Sequence, residues 1–377
     1  MSATRVPVNA GTLAWARETL GLDENEVARA AGVKVDQYER FEAGLIGPTL
    51  SQLRKIAHKL DRPVAFFLAP PPEQPDVPQT ADFRSGAAGP IPSLLLREMK
   101  RANAQRRAFL ELVGAPAEHV RPGPITWDNA RSRAGEFREA LGFTPAFRPA
   151  ESQAGAVFNF WRAQLEARGY LVFQTTGVPY GAFRGLSIQH NVLPIILVNG
   201  ADAANGKTFT LFHEVAHLAN RTSGVCLLQD DVNVEALCNA FAAEFLMPAE
   251  EVERIISTTR PGRTIEAISG HFRVSTLAAA IRLRRLNLID DAALAVFREQ
   301  SDEEWARNRR LLEQKEGFAP PAKTRARDLG PTYLSAVFEA LDSDRLNYLD
   351  ATYLLNARIP TIEKMLQEFR GGRRRRR

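Results

Sequence analysis

Cysteine is almost missing from this chain: Cys226 and Cys238 are the two thiols in 377 residues. Two thiols cannot build a disulfide framework, and their spacing fits no common cysteine-based zinc site. Long apolar runs are missing as well, and without about 18 consecutive apolar residues no segment is expected to span a membrane. The N-terminus, MSATRVPVNAGTLAWARETL, lacks a charged start followed by a greasy stretch, which argues against secretion. A reducing cytoplasm is the expected setting. There is no internal repeat. An excess of one charge is also lacking once the end of the chain is set aside. Lys and Arg number 49 against 44 Asp and Glu, a net of +5. Arg373 to Arg377 supply those five charges, leaving 44 against 44 elsewhere. A block of like charges behind Gly371 and Gly372 reads as a disordered, solvated end, with a nucleic-acid arm as the alternative.

What is present describes a folded globular protein: 45% apolar residues and 25% charged. The length asks for two or three domains. Residues 1–69 read as several short helices with tight turns. Residues 70–90 read as an extended linker, because Pro70, Pro71, Pro72, Pro75 and Pro78 can continue neither a helix nor a central strand. Helical spacing then covers Leu94–Val113, Trp127–Leu141 and Ala154–Ala167, with Gly169 as a stop signal. The pattern changes at YLVFQ, AFRGLSIQ and VLPIILV, short β-branched and aromatic stretches broken by turn residues. These are expected to be three strands, the last two forming a hairpin. Helical periods return from Thr208. Strands clustered in mid-chain and followed by helices predict an α+β domain over residues 91–290, then a helical region over 291–370 and the tail 371–377.

The chemistry concentrates in TFTLFHEVAHLAN. His213 and His217 lie four apart, so on a helix both imidazoles share one face and can reach one ion. Glu214 sits beside the first of them, where it can take a proton from water. Zinc (Zn²⁺) in such a setting lowers the pKa of water to about 7 and polarises a carbonyl. A third histidine six residues on is excluded, since that position is Ser223. An acid on a second helix is the other solution, and VEALCNAFAAEFLMP supplies Glu235, 18 residues after His217. Asn239 falls one turn further on the same face and can fix a ligand histidine's tautomer. The rival, Glu244, is nine residues past Glu235 and faces roughly the opposite way, as a solvated or structural carboxylate. Cys238 either touches the metal or fills the core as a small hydrophobe. Tyr180 and Arg184 either stabilise a developing oxyanion or are ordinary turn and sheet-face residues.

Together, FTLFHEVAHLAN and E-x-x-x-N-x-F-A-A-E-F-L-M-P resemble the ImmA/IrrE family of metallopeptidases, and ILVNG and FRGLSI fit the same likeness. The resemblance runs from about Phe183 to Pro248. It implies a minimal, gluzincin-like zincin fold with a small three-stranded sheet. It also implies metal ligands His213, His217 and Glu235, a general base Glu214, and cleavage or regulation of a transcriptional repressor in a stress, phage or mobile-element response. The family often has an acid where this chain has Leu237, which leaves Glu235 as the suitably spaced carboxylate before Asn239.

Near the N-terminus, two short helices over Asp23–Ala31 and Val35–Glu42 flank a turn at Ala31-Gly32-Val33, the spacing of a helix-turn-helix. EVARAAGV, YERFEAG and LRKIAHKLDRPVAFF resemble the phage-repressor (XRE-like) family. That likeness implies DNA as a partner, with Lys34, Asp36, Gln37 and Arg40 exposed toward the major groove. Residues 1–69 carry nine basic and eight acidic side chains, so phosphate affinity would need a homodimer or the arginine tail. The alternative is a module of the same fold that docks a protein. Beyond Val274, an amphipathic helix and the periodic stretches DSDRLNYLDATYLLN and IPTIEKMLQEF suit a lid, a dimer interface or a recognition surface. Two functions follow: a zinc endopeptidase joined to a DNA-binding module and acting on a repressor, or a regulator or antitoxin whose zincin domain senses without cutting.

Overall fold

The computed structural model describes residues 4–73, 91–117, 119–221, 232–260, 262–313 and 320–374. Most of the proline-rich stretch and Cys226 lie outside the described residues. The chain divides into two compact units, residues 1–104 and 105–377.

The first unit packs α1 (Ala10–Thr19), α2 (Glu24–Ala31), α3 (Val35–Glu42) and α4 (Leu50–Lys59), closed by a 3₁₀ turn at Val64–Leu68. Its boundaries follow from local chemistry. Asp23 and Glu26 form a reciprocal capping box at the start of α2, and Thr49 and Gln52 do the same for α4. Gly32 ends α2 at φ 75°, a left-handed conformation that suits glycine, and so makes the tight turn into α3. Leu13, Val27, Tyr38, Phe41, Leu53 and Phe67 are buried at its centre. Beneath them Arg17 reaches Glu42 at 2.8 Å and Glu24 at 2.8 Å. The two-unit division falls within α5 (Ser93–Val113).

The second unit begins its core with α6 (Ala130–Ala140) and α7 (Ala154–Glu166). The sheet follows: β1 (Leu171–Thr175), β2 (Gly185–Ile188) and β3 (Ile195–Asn199), in spatial order β1-β3-β2. β2 and β3 form the expected antiparallel hairpin, Leu186 opposite Leu197. β1 instead runs parallel to β3, Phe173 opposite Leu197. All fourteen strand residues are buried, which suits their continuous apolar runs. Across the sheet lie α8 (Ala204–Asn220) and α9 (Val232–Leu246), then α10 (Ala249–Thr258), α11 (Thr264–Phe272) and α12 (Thr276–Arg285). Trp161 of α7 is fully enclosed, edge-on to Phe143, Phe212 and Phe245. Phe212 of α8 stacks on Phe245 of α9 with centroids 3.9 Å apart. That stack fixes α8 against α9.

The chain ends in α13 (Asp291–Glu313), α14 (Pro321–Leu329), α15 (Pro331–Asp342), α16 (Tyr348–Leu354) and α17 (Ile359–Arg374). α14 packs on β1 through a buried arginine. Arg162 pairs with Glu166 at 2.9 Å and donates to the carbonyls of Val172, Arg327 and Asp328. Gly330 passes so near its guanidinium that a Cβ there would overlap it. α17 continues through Gly371 and Gly372 to Arg374, so a helix replaces the disordered start expected for the tail. Two glycines cost about 1 kcal/mol each relative to alanine, which a growing helix end tolerates. Among the described residues no helix is long and apolar enough to cross a membrane.

Candidate metal centre

α8 and α9 present four of the residues singled out by spacing to one point. His213 and His217, one turn apart on α8, place their Nε2 atoms 3.1 Å from each other. Glu235, in the first turn of α9, brings Oε2 to 3.1 Å from His213 Nε2 and Oε1 to 3.1 Å from His217 Nε2. The Nδ1 of His213 lies 3.0 Å from Asn239 Oδ1. An amide oxygen accepts, so this Nδ1 carries the proton and Nε2 turns its lone pair inward. A lone pair facing a second imidazole and a carboxylate oxygen is a donor set that suits a cation. Three corners of a tetrahedron drawn about 2.0–2.1 Å from a common ion stand about 3.3 Å apart, close to the spacing found here. His213, His217 and Glu235 could therefore hold a metal ion. Burial opposes the charge on Glu235, but the neighbouring His213 and His217 imidazoles outweigh it and hold the carboxyl well below the usual carboxylate range.

The surroundings explain why these side chains converge. Asn220, the last residue of α8, accepts from the Ile125 N–H at 2.7 Å and donates to the Ile125 carbonyl at 2.9 Å. Two residues on, Trp127 Nε1 donates to Asn233 at 3.0 Å, in the first turn of α9. One short segment thus tethers the end of one helix and the start of the other. Cys238 is buried beside His217 and burial pushes its thiol up, so it serves as part of the core.

Glu214 points to the sheet side of α8 and is fully buried. It faces Gly185 on β2: a Cβ at that position would lie 2.5 Å from Glu214 Oε1 and closer still to Thr210 Cγ2. Asn199 holds this stretch of chain in place. Its Nδ2 donates to the Phe183 carbonyl at 3.0 Å, its backbone N–H to Arg184 at 2.9 Å, and its Oδ1 accepts from Ala201 at 2.9 Å. Gly185, Asn199 and Asn220 are absent from the sequence reading. A glycine at the heart of AFRGLSIQ was the available signal, since glycine in a strand often marks a close backbone approach.

Tyr180 and Arg184 form a pair of their own on the segment entering β2. The Arg184 guanidinium lies over the Tyr180 ring at 5.2 Å. Burial, reinforced by Asp202, pushes the Tyr180 phenol up. Glu244 is not solvated. Its Oε1 accepts from the Ala249 N–H at 2.9 Å, where α10 starts, and Arg282 of α12 ion-pairs with its Oε2. The carboxylate is structural because the face of α9 opposite the histidines is packed, not open to water. In the first unit Lys34, which caps the start of α3, and Asp36 and Arg40 on α3 are exposed, while Gln37 is half-buried where full exposure is expected.

Parts of this chain match known protein families. Residues 166–284 match the peptidase family model described as IrrE N-terminal-like domain, and residues 13–67 match the helix-turn-helix model. A 216-residue stretch, 54% of this chain, is 26% identical to the radiation response metalloprotease IrrE of Deinococcus deserti, covering 70% of that protein. Residues 166–284 of this chain are therefore similar to the peptidase domain of the IrrE-like family, a likeness that points to a metallopeptidase, and residues 13–67 are similar to helix-turn-helix domains.

Proposed function

We propose that the protein is a zinc-dependent endopeptidase that cuts a specific protein substrate, a transcriptional repressor in a stress, phage or mobile-element response, and that its helix-turn-helix domain binds DNA. The observation that carries the reading is the mutual 3.1 Å approach of His213, His217 and Glu235. In this reading those three hold zinc and Asn239 orients His213. Zinc supplies polarisation of the peptide carbonyl and acidification of water. Glu214 accepts a proton from the attacking water and returns it to the departing amine, a general acid–base role worth typically about 10² to 10⁴-fold in rate. Its complete burial keeps that carboxylate away from bulk water, where its proton transfers would be diluted. Arg184, with Tyr180 stacked beneath it, is the candidate partner for charge developing on the substrate oxygen. Domain limits of 1–69, 91–290 and 291–370 are proposed with it. The exposed Lys34, at the start of α3, and Arg40 on it supply phosphate contacts, and Asp36 and Gln37 on the same helix face the bases.

The test requires no known substrate. Cells expressing the native chain and a Glu214→Gln variant are compared by labelling new protein N-termini. Both purified proteins should hold about one zinc per chain, and the native chain alone should generate a small set of new termini. Identical termini in the two strains would end the assignment of Glu214 as base.

A further inference from the structure

At Gly185 the sheet meets α8 with no strand side chain between them. Its ideal Cβ would lie 2.5 Å from Glu214 Oε1, 3.1 Å from Glu214 Cδ, and nearer still to the Thr210 methyl. Real Cβ atoms do not approach that closely, so an added methyl must displace something. Neither backbone is free to yield. β2 is paired to β3 along its length, and the chain just before it is held by the Asn199 carboxamide and backbone N–H. α8 is fixed by the Phe212–Phe245 stack and by Asn220 on Ile125. Thr210 has a stiff, β-branched side chain inside the same packed layer. The group most able to shift is the Glu214 carboxylate, the far end of the longest side chain at this contact.

Glycine also carries a cost here. In a strand it gives up side-chain packing and backbone entropy, roughly 0.5–1 kcal/mol relative to alanine. The remaining residues of β2, Leu186, Ser187 and Ile188, all carry buried side chains. A strand that accepts that cost at the residue facing a buried carboxylate has a steric reason for it.

We propose that Gly185 is a positioning residue that fixes the Glu214 carboxylate: by leaving its Cβ volume empty it lets Oε1 occupy a single place against the sheet. The proposal rests on the peptidase reading, in which Glu214 touches the reacting water. It predicts a defect in Glu214-dependent interactions with the metal ligands intact.

The probe is a peptidyl hydroxamate, which needs both the metal and the neighbouring carboxylate, titrated into the zinc-loaded full chain. Zinc content and Tm are measured on the same samples. Gly185→Ala should keep about one zinc per chain and lose about ten- to hundredfold in hydroxamate affinity, the value of one charge-assisted hydrogen bond. Thr210→Ser removes the methyl clash but not the clash with Glu214. The double variant Gly185→Ala/Thr210→Ser should therefore recover the native Tm while its affinity stays low. In a Glu214→Asp background the carboxylate is one methylene further from β2, and adding Gly185→Ala should then cost less than about twofold. Three results would each overturn the proposal: unchanged affinity in Gly185→Ala, affinity restored by Thr210→Ser, or an equal loss in the Glu214→Asp background. Failure of the peptidase reading looks different. Glu214→Gln would then bind the hydroxamate as tightly as the native chain, whatever residue stands at 185.

Discussion

Removing the Glu244 side chain should destabilise the second unit without emptying the metal centre. Nine residues separate Glu244 from Glu235 on α9, and the two carboxylates serve opposite faces. Glu244 has a side chain only 10% exposed, and its partner Arg282 is 6% exposed. Glu244→Ala therefore leaves a buried guanidinium with the Met247 carbonyl, at 3.0 Å, in place of a carboxylate. It also strips the Ala249 N–H of its acceptor at the start of α10. Breaking one side of a buried pair typically costs about 3–5 kcal/mol, far above the roughly 1 kcal/mol ceiling of a surface contact. For a unit of this size, each kcal/mol shifts Tm by roughly 2–4 °C, so the loss should be roughly 6–20 °C. Scanning calorimetry of the zinc-loaded chain measures it, with zinc release to a colorimetric chelator at 25 °C as the companion assay. Arg282→Met in the Glu244→Leu background should return most of the stability, because the charge left behind is then gone. A Tm loss below about 2 °C, or chelator-accessible zinc in a still-folded Glu244→Ala protein, would refute the structural assignment.

Other expectations are as direct. Glu235→Ala and His217→Ala should each lose zinc to the chelator at once, while Asn239→Ala weakens retention by about 10 to 100-fold; retention as tight as native in Glu235→Ala would remove it from the site. Burial, with Arg106 and Arg121 beside it, pushes the His190 imidazole down to about 4. An imidazole depressed on folding is protonated first in the unfolded chain, so its contribution is complete above about pH 6.5 and is lost as pH falls toward about 4. His190→Gln should flatten that part of the stability profile by urea titration, and an unchanged slope would count against it. On the helix-turn-helix domain, Arg40→Ala should weaken DNA binding uniformly across sequences and lower the salt slope by about one, read by fluorescence anisotropy.

Much of the site could be read from residues close in sequence. The His213 and His217 spacing needs only helical geometry, and the preference for Glu235 over Glu244 needs only the pitch of α9. Helices α2 and α4 announce themselves through Asp23, Gly32 and Thr49, whose caps are local. Other features depend on what arrives from far along the chain. The parallel pairing of β1 with β3, with α14 packed on β1, is not visible in the alternation of either strand. Arg162 looks like a surface residue of an amphipathic helix until the carbonyls of Arg327 and Asp328 reach it. Gly185 is recognisable as a close approach, but its neighbour, Glu214, is named only by the fold. Glu244 faces away from His213 and His217, as the pitch of α9 predicts, yet a direction on a helix does not say whether water or Arg282 waits there.

The Arg162 cluster bears on how the peptidase part can be prepared. The family likeness ends at residue 284, which suggests cutting the gene near there to obtain a minimal enzyme. Such a truncation would remove the Arg327 and Asp328 carbonyls and leave a guanidinium among apolar neighbours with Glu166 and Val172 alone. It would also strip α14 from β1 and expose the outer edge of that strand, a template for pairing with other chains. A fragment ending after α12 should therefore express as aggregates, while one extended through α17 should stay monodisperse. On this expectation the shortest piece that folds follows the reach of an arginine in α7 and not the point where resemblance to relatives stops.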